Sequence, residues 1–486
     1  MNKPAPTSPS VHSRGRGNPL YRKPLLIIAI GLLGGLGFPP FSPLAPLFQL
    51  LFLGAMFRFA AEAKGTRPAM LTALAMAFFQ GLVAYAWLAE PFQFINAAWA
   101  GPPMVALMAL YIALYAAMAG WVANYTKSAL AFGFAIGWLE WVRSFLFTGF
   151  AWNPASAAWV FYLPMLQTLS LFGAFGLSTL TAMTSAWLSR KGEMKYGAAM
   201  LAGLFVFGLI RMQEPAHMNL KVRIMNLDHR NPLERDPMSL ERFSLLAAAP
   251  GAEHIGLFAM PESATDTDLY RNPRALGTVM RMNNPRSVAT LGMTRRQGAE
   301  LFNTLAVVDS GGLLASYDKR HLVPFGEYMP RWLDPFFNKM TAGYVGFSHG
   351  TSDPVMHIKN RLIAPLICYE AIFPGLRLRG EPDFIINVSN DAWFAPQGRV
   401  QHFELSRMRS IEEGIPQVRV ANAGISAIIS PYGQISAVLL EQGFKDGMMF
   451  APLRGGTLFG WTGNWLFALI ATGVLAWILL KRRQSS

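Results

Sequence analysis

Leu362-Ile363-Ala364-Pro365-Leu366-Ile367-Cys368-Tyr369-Glu370 runs apolar for six residues, then turns polar at the only cysteine of the 486-residue chain. A short apolar run of this kind reads as a buried strand. A lone cysteine is usually a small buried apolar residue, but a structural cysteine more often lies mid-strand. Here the strand delivers its sulfur to an end, where polar residues begin.

Working outward, β-like runs recur at Lys221–Met225, Ile255–Ala259, Ser287–Gly292, Asn303–Val308, Phe384–Val388, Gln417–Ala421 and Ser426–Ser430. Helical stretches at Pro237–Ala248 and Gln401–Glu413 lie between some of them. Turn signals at Ser310-Gly311-Gly312 and Pro431-Tyr432-Gly433 join hairpin-like pairs. Strands alternating with helices predict a layered α/β domain over residues 213–458.

Two further patterns follow strands in this domain. Phe258-Ala259-Met260-Pro261-Glu262-Ser263 sets a carboxylate just past a buried run; it serves chemistry or merely caps a helix. Tyr317-Asp318-Lys319-Arg320-His321-Leu322-Val323-Pro324-Phe325-Gly326-Glu327-Tyr328 reads as a charged surface hairpin for Asp318 and Arg320. Lys319 and Glu327 stand apart, because the Val-Pro-Phe-Gly run between them predicts a rigid, partly buried turn. Together these parts suit acyl transfer. A nearby cation favours the reactive thiolate, a carboxylate relays protons, an ammonium stabilises an oxyanion, and a thioester divides the reaction into two easier steps. Spacing alone leaves open a cysteine–histidine arrangement using His321.

The rest of the chain is of a different kind. Hydrophobic residues make up 52% of the whole and charged residues only 14%, against about 25% in soluble proteins; mean hydropathy is +0.28. Apolar segments at roughly 24–38, 44–60, 69–89, 104–124, 128–148, 164–188, 196–212 and 459–480 approach the roughly 20 residues that cross a bilayer. The net charge of +14 first suggests nucleic acid, but residues 212–458 carry 25 Lys/Arg against 24 Asp/Glu. The excess sits in tails and alternate loops: Arg14, Arg16, Arg22 and Lys23; Arg58, Lys64 and Arg67; Lys127; Arg190, Lys191 and Lys195; Lys481, Arg482 and Arg483. The connections near 39–43, 90–103 and 149–163 have no Lys or Arg. The positive-inside rule then puts both termini in the cytoplasm and residues 213–458 outside it. The expected organisation is a cytoplasmic tail (1–23), seven transmembrane helices (24–212), an extracytoplasmic domain (213–458), an eighth helix (459–480) and a second tail (481–486), with no nucleic-acid partner.

Residues 213–458 resemble the nitrilase, or carbon–nitrogen hydrolase, superfamily, whose sites use Glu, Lys and Cys. More narrowly, several segments are similar to the apolipoprotein N-acyltransferase family: His321–Glu327, Ile367–Glu370, Ser389–Phe394, Gln401-His402-Phe403 followed by Arg407-Met408-Arg409, and Thr462–Trp465. The resemblance implies an αββα sandwich carried by an eight-helix membrane bundle. It further implies Cys368 as nucleophile, Glu262 as general base and Lys319 as oxyanion stabiliser, with Glu327, Tyr369 and Glu370 in support. Asn390, Trp393 and Phe394 would meet substrate; the two aromatics serve packing equally well. A phospholipid would donate its acyl chain, a diacylglyceryl apolipoprotein would accept it, and no cofactor or metal is implied. The setting would be a bacterial inner membrane with the domain on its periplasmic side, and the chain a monomer. Two alternatives stay open: a membrane-tethered amidase acting on small amides, and a transporter or lipid-binding scaffold.

One departure is visible. The family's Gln/Asn-rich turn and functional tryptophan after the domain's first strand have no match at Met225–Pro232, since no Trp occurs between Trp187 and Trp332. In the fifth apolar segment, Glu140 and Arg143 lie one turn apart before Thr148-Gly149-Phe150. Ionisable residues there point to lipid headgroup contact or to an intrahelical structural pair.

Overall fold

The computed structural model describes residues 19–233, 236–328, 346–376 and 380–485. Most of the N-terminal tail, including Arg14 and Arg16, lies outside them. Among the described residues seven helices of 15 or more residues open the chain: α1 Pro19–Gly35, α2 Ala45–Glu62, α3 Thr66–Ala84, α4 Gly101–Thr126, α5 Ala129–Arg143, α6 Leu169–Leu188 and α7 Met194–Arg211. Six helical stretches among the described residues are long and apolar enough to cross a membrane: α2, α3, α4, α6, α7 and a C-terminal helix. The first apolar segment contributes only Pro24–Gly35. The fifth, expected to run to 148, stops at Arg143 because Phe147 and Gly149 take positive φ of 63° and 78° and turn the chain. The sixth is broken at Gly173 (φ 65°). The side chain of Phe459 fills that break, 2.1 Å from where a Cβ would stand.

Helix packing in the bundle relies on small residues, which let backbones approach closely. Gly120 sits against Ala69 and Ala73, Gly81 against Ala109, and Gly133 against Thr179 and Met183. Buried polar side chains find partners: Asn124 Nδ2 donates to the Ala60 carbonyl (2.8 Å) and Gln80 Nε2 to Gln49 Oε1 (3.1 Å).

The second half is a two-sheet sandwich. Its strands are β1 His217–Asn226, β2 Leu257–Ala259, β3 Val288–Gln297, β4 Glu300–Asp309, β5 Gly312–Asp318, β6 Met356–Ile358, β7 Arg361–Ile367, β8 Phe384–Asn390, β9 Gln417–Asn422, β10 Ser426–Ile429, β11 Ile435–Leu439 and β12 Gly443–Phe450. One sheet has the order β12-β1-β2-β3-β4-β5 and the other β11-β10-β9-β8-β7-β6. Val222, Ile224, Leu257, Leu305 and Val307 of the first meet Ile367, Ile386, Val388, Val418 and Val420 of the second in one core. Helices α8 Ser239–Ala247 and α9 Pro273–Arg281 cover the outer face of the first sheet through Phe243 and Val279. Helix α10 Pro396–Glu413 covers the other through Phe403. This is the expected αββα layering. β7 and β8 pair in parallel and are largely buried, which is why each opens on an apolar run, Leu362–Ile367 in β7 and Phe384–Ile386 in β8. β6 spans only Arg361–Ile363 of β7, so the chain around Pro365 is paired on one side, where proline is tolerated. β5 and β11 follow the turns read at Ser310-Gly311-Gly312 and Pro431-Tyr432-Gly433 and complete those two hairpins, whereas β6, β12 and helix α9 went unanticipated. From the domain the chain passes through Leu458–Thr462 into α11 Asn464–Ser485.

Helix α10 fastens the domain to the bundle. Gln401 accepts from Trp152 Nε1 (2.8 Å) and donates to the Pro39 carbonyl (2.9 Å); Arg407 donates to the Val160 carbonyl (3.2 Å); Glu412 accepts from the Ala174 N–H (2.8 Å). Glu140 and Arg143 also hold this junction: Glu140 accepts from the Ala155 N–H (2.8 Å) and Arg143 donates to the Trp152 carbonyl (3.0 Å). Both thus hold the connection at 152–155, against which α10 packs, through its backbone.

Burial pushes the Glu412 carboxyl up to about 7 despite Arg409 beside it, and Glu413, with Glu412 as neighbour, up to about 8. A carboxyl raised above its unfolded value of about 4.3 binds a proton in the folded state that the unfolded state lacks, so stability falls as pH rises between the two values. The melting temperature of the detergent-solubilised protein is therefore expected to fall from about pH 5 to pH 8. Glu413→Gln should flatten that fall, as a thermal scan at each pH would show.

Candidate active site

Four chain segments meet at one end of the sandwich. Past β2, Pro261 carries Glu262 into the site, 5% exposed. This approach depends on Gly292 of β3, whose N–H donates to the Pro261 carbonyl (3.0 Å). A Cβ at 292 would stand 2.5 Å from the Glu262 Cα and 2.6 Å from the Ser263 nitrogen. Gly292→Ala should therefore displace Glu262 and lower kcat about 10- to 100-fold with the fold retained, checked by steady-state kinetics alongside circular dichroism.

β5 ends at Asp318 and delivers Lys319, which is 1% exposed. Its Nζ lies 2.9 Å from Glu327 Oε1 and 3.4 Å from Glu262 Oε1. Asn303 of β4 spans the same two carboxylates, donating to Glu262 Oε1 (2.7 Å) and Glu327 Oε1 (3.0 Å). Burial alone would push the Lys319 ammonium down, but Glu262 and Glu327 outweigh it and hold the lysine above its usual range. Glu327 is set by the turn predicted from Val-Pro-Phe-Gly: its Oε2 accepts from the Val323 N–H (2.8 Å), with Phe325 at φ 65°. Asp318, expected on a charged surface, is instead 8% exposed and held by Arg295 (2.6 and 3.0 Å) and Thr304 (2.6 Å). Arg320 is exposed, as expected.

Cys368 follows β7 at φ 51°, a left-handed conformation that non-glycine residues rarely adopt. Such strain persists where the surroundings impose it and concentrates at reactive positions. Glu370 supplies that imposition. Its Oε2 accepts from the Ile367 N–H (2.8 Å), while Oε1 accepts from Tyr317 Oη (2.9 Å), the Arg320 N–H (2.8 Å) and the His321 N–H (3.1 Å). One buried carboxylate thus ties the cysteine turn to the lysine segment. Cys368 is 6% exposed. Burial and the Glu262 charge push it well up, with Lys319 and a Ser389 hydrogen bond pulling the other way. The resting group is therefore the neutral thiol, and the charges of Glu262 and Lys319 act on it in opposite directions.

Beneath this turn lies a buried network whose roles went unread in the sequence. His402 reaches the Cys368 carbonyl (3.1 Å) through Nε2 and Asp391 (2.8 Å) through Nδ1, and Arg419 donates to Asp391 (2.8 Å). Burial alone would raise the Asp391 carboxyl, but Arg419 and His402 hold it well below the usual carboxylate range. His321, the alternative partner for the cysteine, is engaged elsewhere: its ring stacks on Phe373 at 4.0 Å and its Nε2 meets the Thr148 carbonyl (3.2 Å). Tyr369 Oη donates to the Gly149 carbonyl (2.9 Å), joining the residue after the cysteine to the bundle.

The three residues expected near substrate occupy the same end. The Asn390 N–H donates to Glu262 Oε2 (2.7 Å) and its Oδ1 accepts from Asn422 (2.9 Å). Trp393 lies edge-on to Phe94, and Phe394 packs on Trp87, Trp152 and His402 at the junction with the bundle. Asn303 and Gly292 were missed, although each left a signal: a polar residue and a glycine within otherwise apolar strands.

Two family models match the chain: the apolipoprotein N-acyltransferase N-terminal domain over residues 30–187 and carbon-nitrogen hydrolase over residues 274–454. Relatives align almost end to end. The apolipoprotein N-acyltransferase of Rhodopseudomonas palustris is 30% identical, with 95% of this chain and 96% of that one covered. That of Agrobacterium fabrum is 32% identical, with 95% and 97% covered, and that of Rickettsia bellii 30%, with 93% and 96%. Helical and α/β halves that each match their own model, within relatives matched over nearly their whole length, lead to one conclusion: the chain belongs to the apolipoprotein N-acyltransferase family.

Proposed function

We propose that this protein moves a fatty acyl chain from a phospholipid to the N-terminal amine of a diacylglyceryl-cysteine on an apolipoprotein, through a thioester on Cys368. The observation that carries the reading is the convergence of a strained cysteine, a buried lysine and two carboxylates at the face of the domain that joins an apolar helix bundle. Glu262 takes the thiol proton as sulfur attacks the ester carbonyl. Lys319 Nζ and the Tyr369 backbone N–H stabilise the oxyanion. Glu262 returns the proton to the departing lysophospholipid, and the amine then attacks the thioester. Glu327 holds Lys319 in place, Glu370 holds the cysteine turn, and Asn390 steadies Glu262. Trp393 and Phe394 shape the lipid entrance.

The loop charges support eight crossings of a bacterial inner membrane, with the domain on the periplasmic side. Both lipid substrates then share one leaflet with the site, which favours encounter and orientation. Incubation with phospholipid labelled in its acyl chain tests the reading. A hydroxylamine-labile label on Cys368, transferred to a diacylglyceryl peptide, is expected; hydrolysis of a small soluble amide with no acyl-enzyme would overturn it.

A further inference from the structure

The two half-reactions differ in their proton balance. In the first, the Cys368 S–H and the ester C–O bonds break, C–S and O–H bonds form, and no proton is gained or lost. In the second, an α-amino group of ordinary pKa about 7.7–8.0 arrives largely as ammonium at neutral pH. A C–N bond forms as C–S breaks, and the nitrogen gives up two protons. One goes to the sulfur; the other must leave a site whose Glu262 and Lys319 are 5% and 1% exposed.

A cavity of about 30 Å³, room for about two water molecules, lies against Glu262, with His229, Asp236, Asp266 and Asn422 among its walls. Ser263 and Asp266, also in its lining, are exposed to solvent. His229 Nε2 is 3.6 Å from Asp236 Oδ2, and that carboxylate is fixed by Arg242 (2.7 Å) and the Met238 N–H (2.9 Å). The His229 backbone is held at both N–H and carbonyl by Asn422 (2.8 Å each). Asn422 in turn bonds Asn390, whose N–H bonds Glu262. The His229 backbone is therefore tied to the Glu262 carboxylate by a continuous chain of hydrogen bonds, and its imidazole lines the same cavity as Glu262. The charged groups around it are Asp236 with Arg242 behind it, Glu262 and Asp266 across the cavity, and the Asp228–Arg230 pair on its own loop. With Lys319 behind Glu262 (3.4 Å) included, acidic groups still outnumber basic ones among the described residues, which favours a proton in transit, and imidazole is the side chain that exchanges protons near neutral pH.

We propose that His229, oriented by Asp236, relays the proton released in the amine half-reaction from Glu262 to bulk solvent. The inference rests on the acyl-transfer reading above. The test uses the full detergent-solubilised chain, wild type and with His229→Gln or Asp236→Asn, and follows each half-reaction in single turnover. Acylation by labelled phospholipid should stay within about twofold of wild type, which also shows that the variants are folded. Deacylation by a diacylglyceryl-cysteine peptide should slow on the order of tenfold near pH 6.5 and converge with wild type near pH 9, where the amine arrives neutral. Deacylation by hydroxylamine, mostly neutral at both values, should be unchanged relative to wild type at each pH. Equal loss in both half-reactions, or an unchanged peptide rate at pH 6.5, overturns the relay alone. A wild-type protein that forms no acyl-enzyme overturns the relay and the acyl-transfer reading together.

Discussion

Cys368→Ala is expected to abolish acyl transfer, with a fall in kcat of about 10,000-fold or more, because covalent catalysis has no substitute once its nucleophile is gone. The fold should survive. The sulfur lies at the end of β7, and the turn is held by Glu370 through the Ile367, Arg320 and His321 N–H groups, none of which involves the thiol. The measurement is acyl transfer from labelled phospholipid to a diacylglyceryl peptide, with a thermal melt on the same sample. A variant that melts normally yet keeps more than about a hundredth of the activity would remove the thioester from the mechanism. Cys368→Ser refines the test. A hydroxyl is a far weaker nucleophile at this position, so slow accumulation of an oxygen ester resistant to hydroxylamine is expected in place of turnover.

Lys319→Met should damage both activity and stability. The ammonium stands 2.9 Å from Glu327 and 3.4 Å from Glu262 in a pocket that leaves it 1% exposed. Deleting one member of a buried charge cluster costs about 3–5 kcal/mol, since the remaining charges are left uncompensated. Activity should fall at least about 1,000-fold with the loss of an oxyanion donor. The pH dependence follows from the raised lysine. A lysine raised above its unfolded value contributes stability that is complete below that value and lost only as pH climbs through the folded one, so the wild type is insensitive to this group near neutrality. In the variant two carboxylates face each other without their cation, and stability should recover as pH falls towards the carboxylate range. Adding Glu327→Gln should restore part of the lost melting temperature without restoring activity. A single variant as stable as wild type at pH 8 would mean that the cluster carries no electrostatic strain.

Much of the architecture was legible because burial leaves a mark on composition. β7 and the first half of β8 are buried and read as apolar runs, and β9 is buried throughout and alternates Val418 and Val420 with polar residues. β12, at a sheet edge, mixes glycine, charged and apolar residues without a regular period and was not anticipated. Six helical stretches were long and apolar enough to stand out individually. The fifth segment was overextended because hydropathy cannot register a turn made by the positive φ of Phe147 and Gly149.

The sequence by itself determined the division into an apolar, basic-looped half and a nearly neutral α/β half, and it singled out Glu262, Lys319, Glu327 and Cys368 as a set of chemical types. Those properties follow from composition and local periodicity, which are written along the chain. Only the tertiary structure decided that Asn303 bridges both carboxylates, that Glu370 pins the strained cysteine turn to the lysine segment, that His402, Asp391 and Arg419 lie beneath it, and that α10 bolts the site to the bundle. Apart from the Glu370–Ile367 bond within the cysteine turn, each of those contacts joins residues far apart in sequence. Its energy depends on distance and burial, which no local pattern encodes.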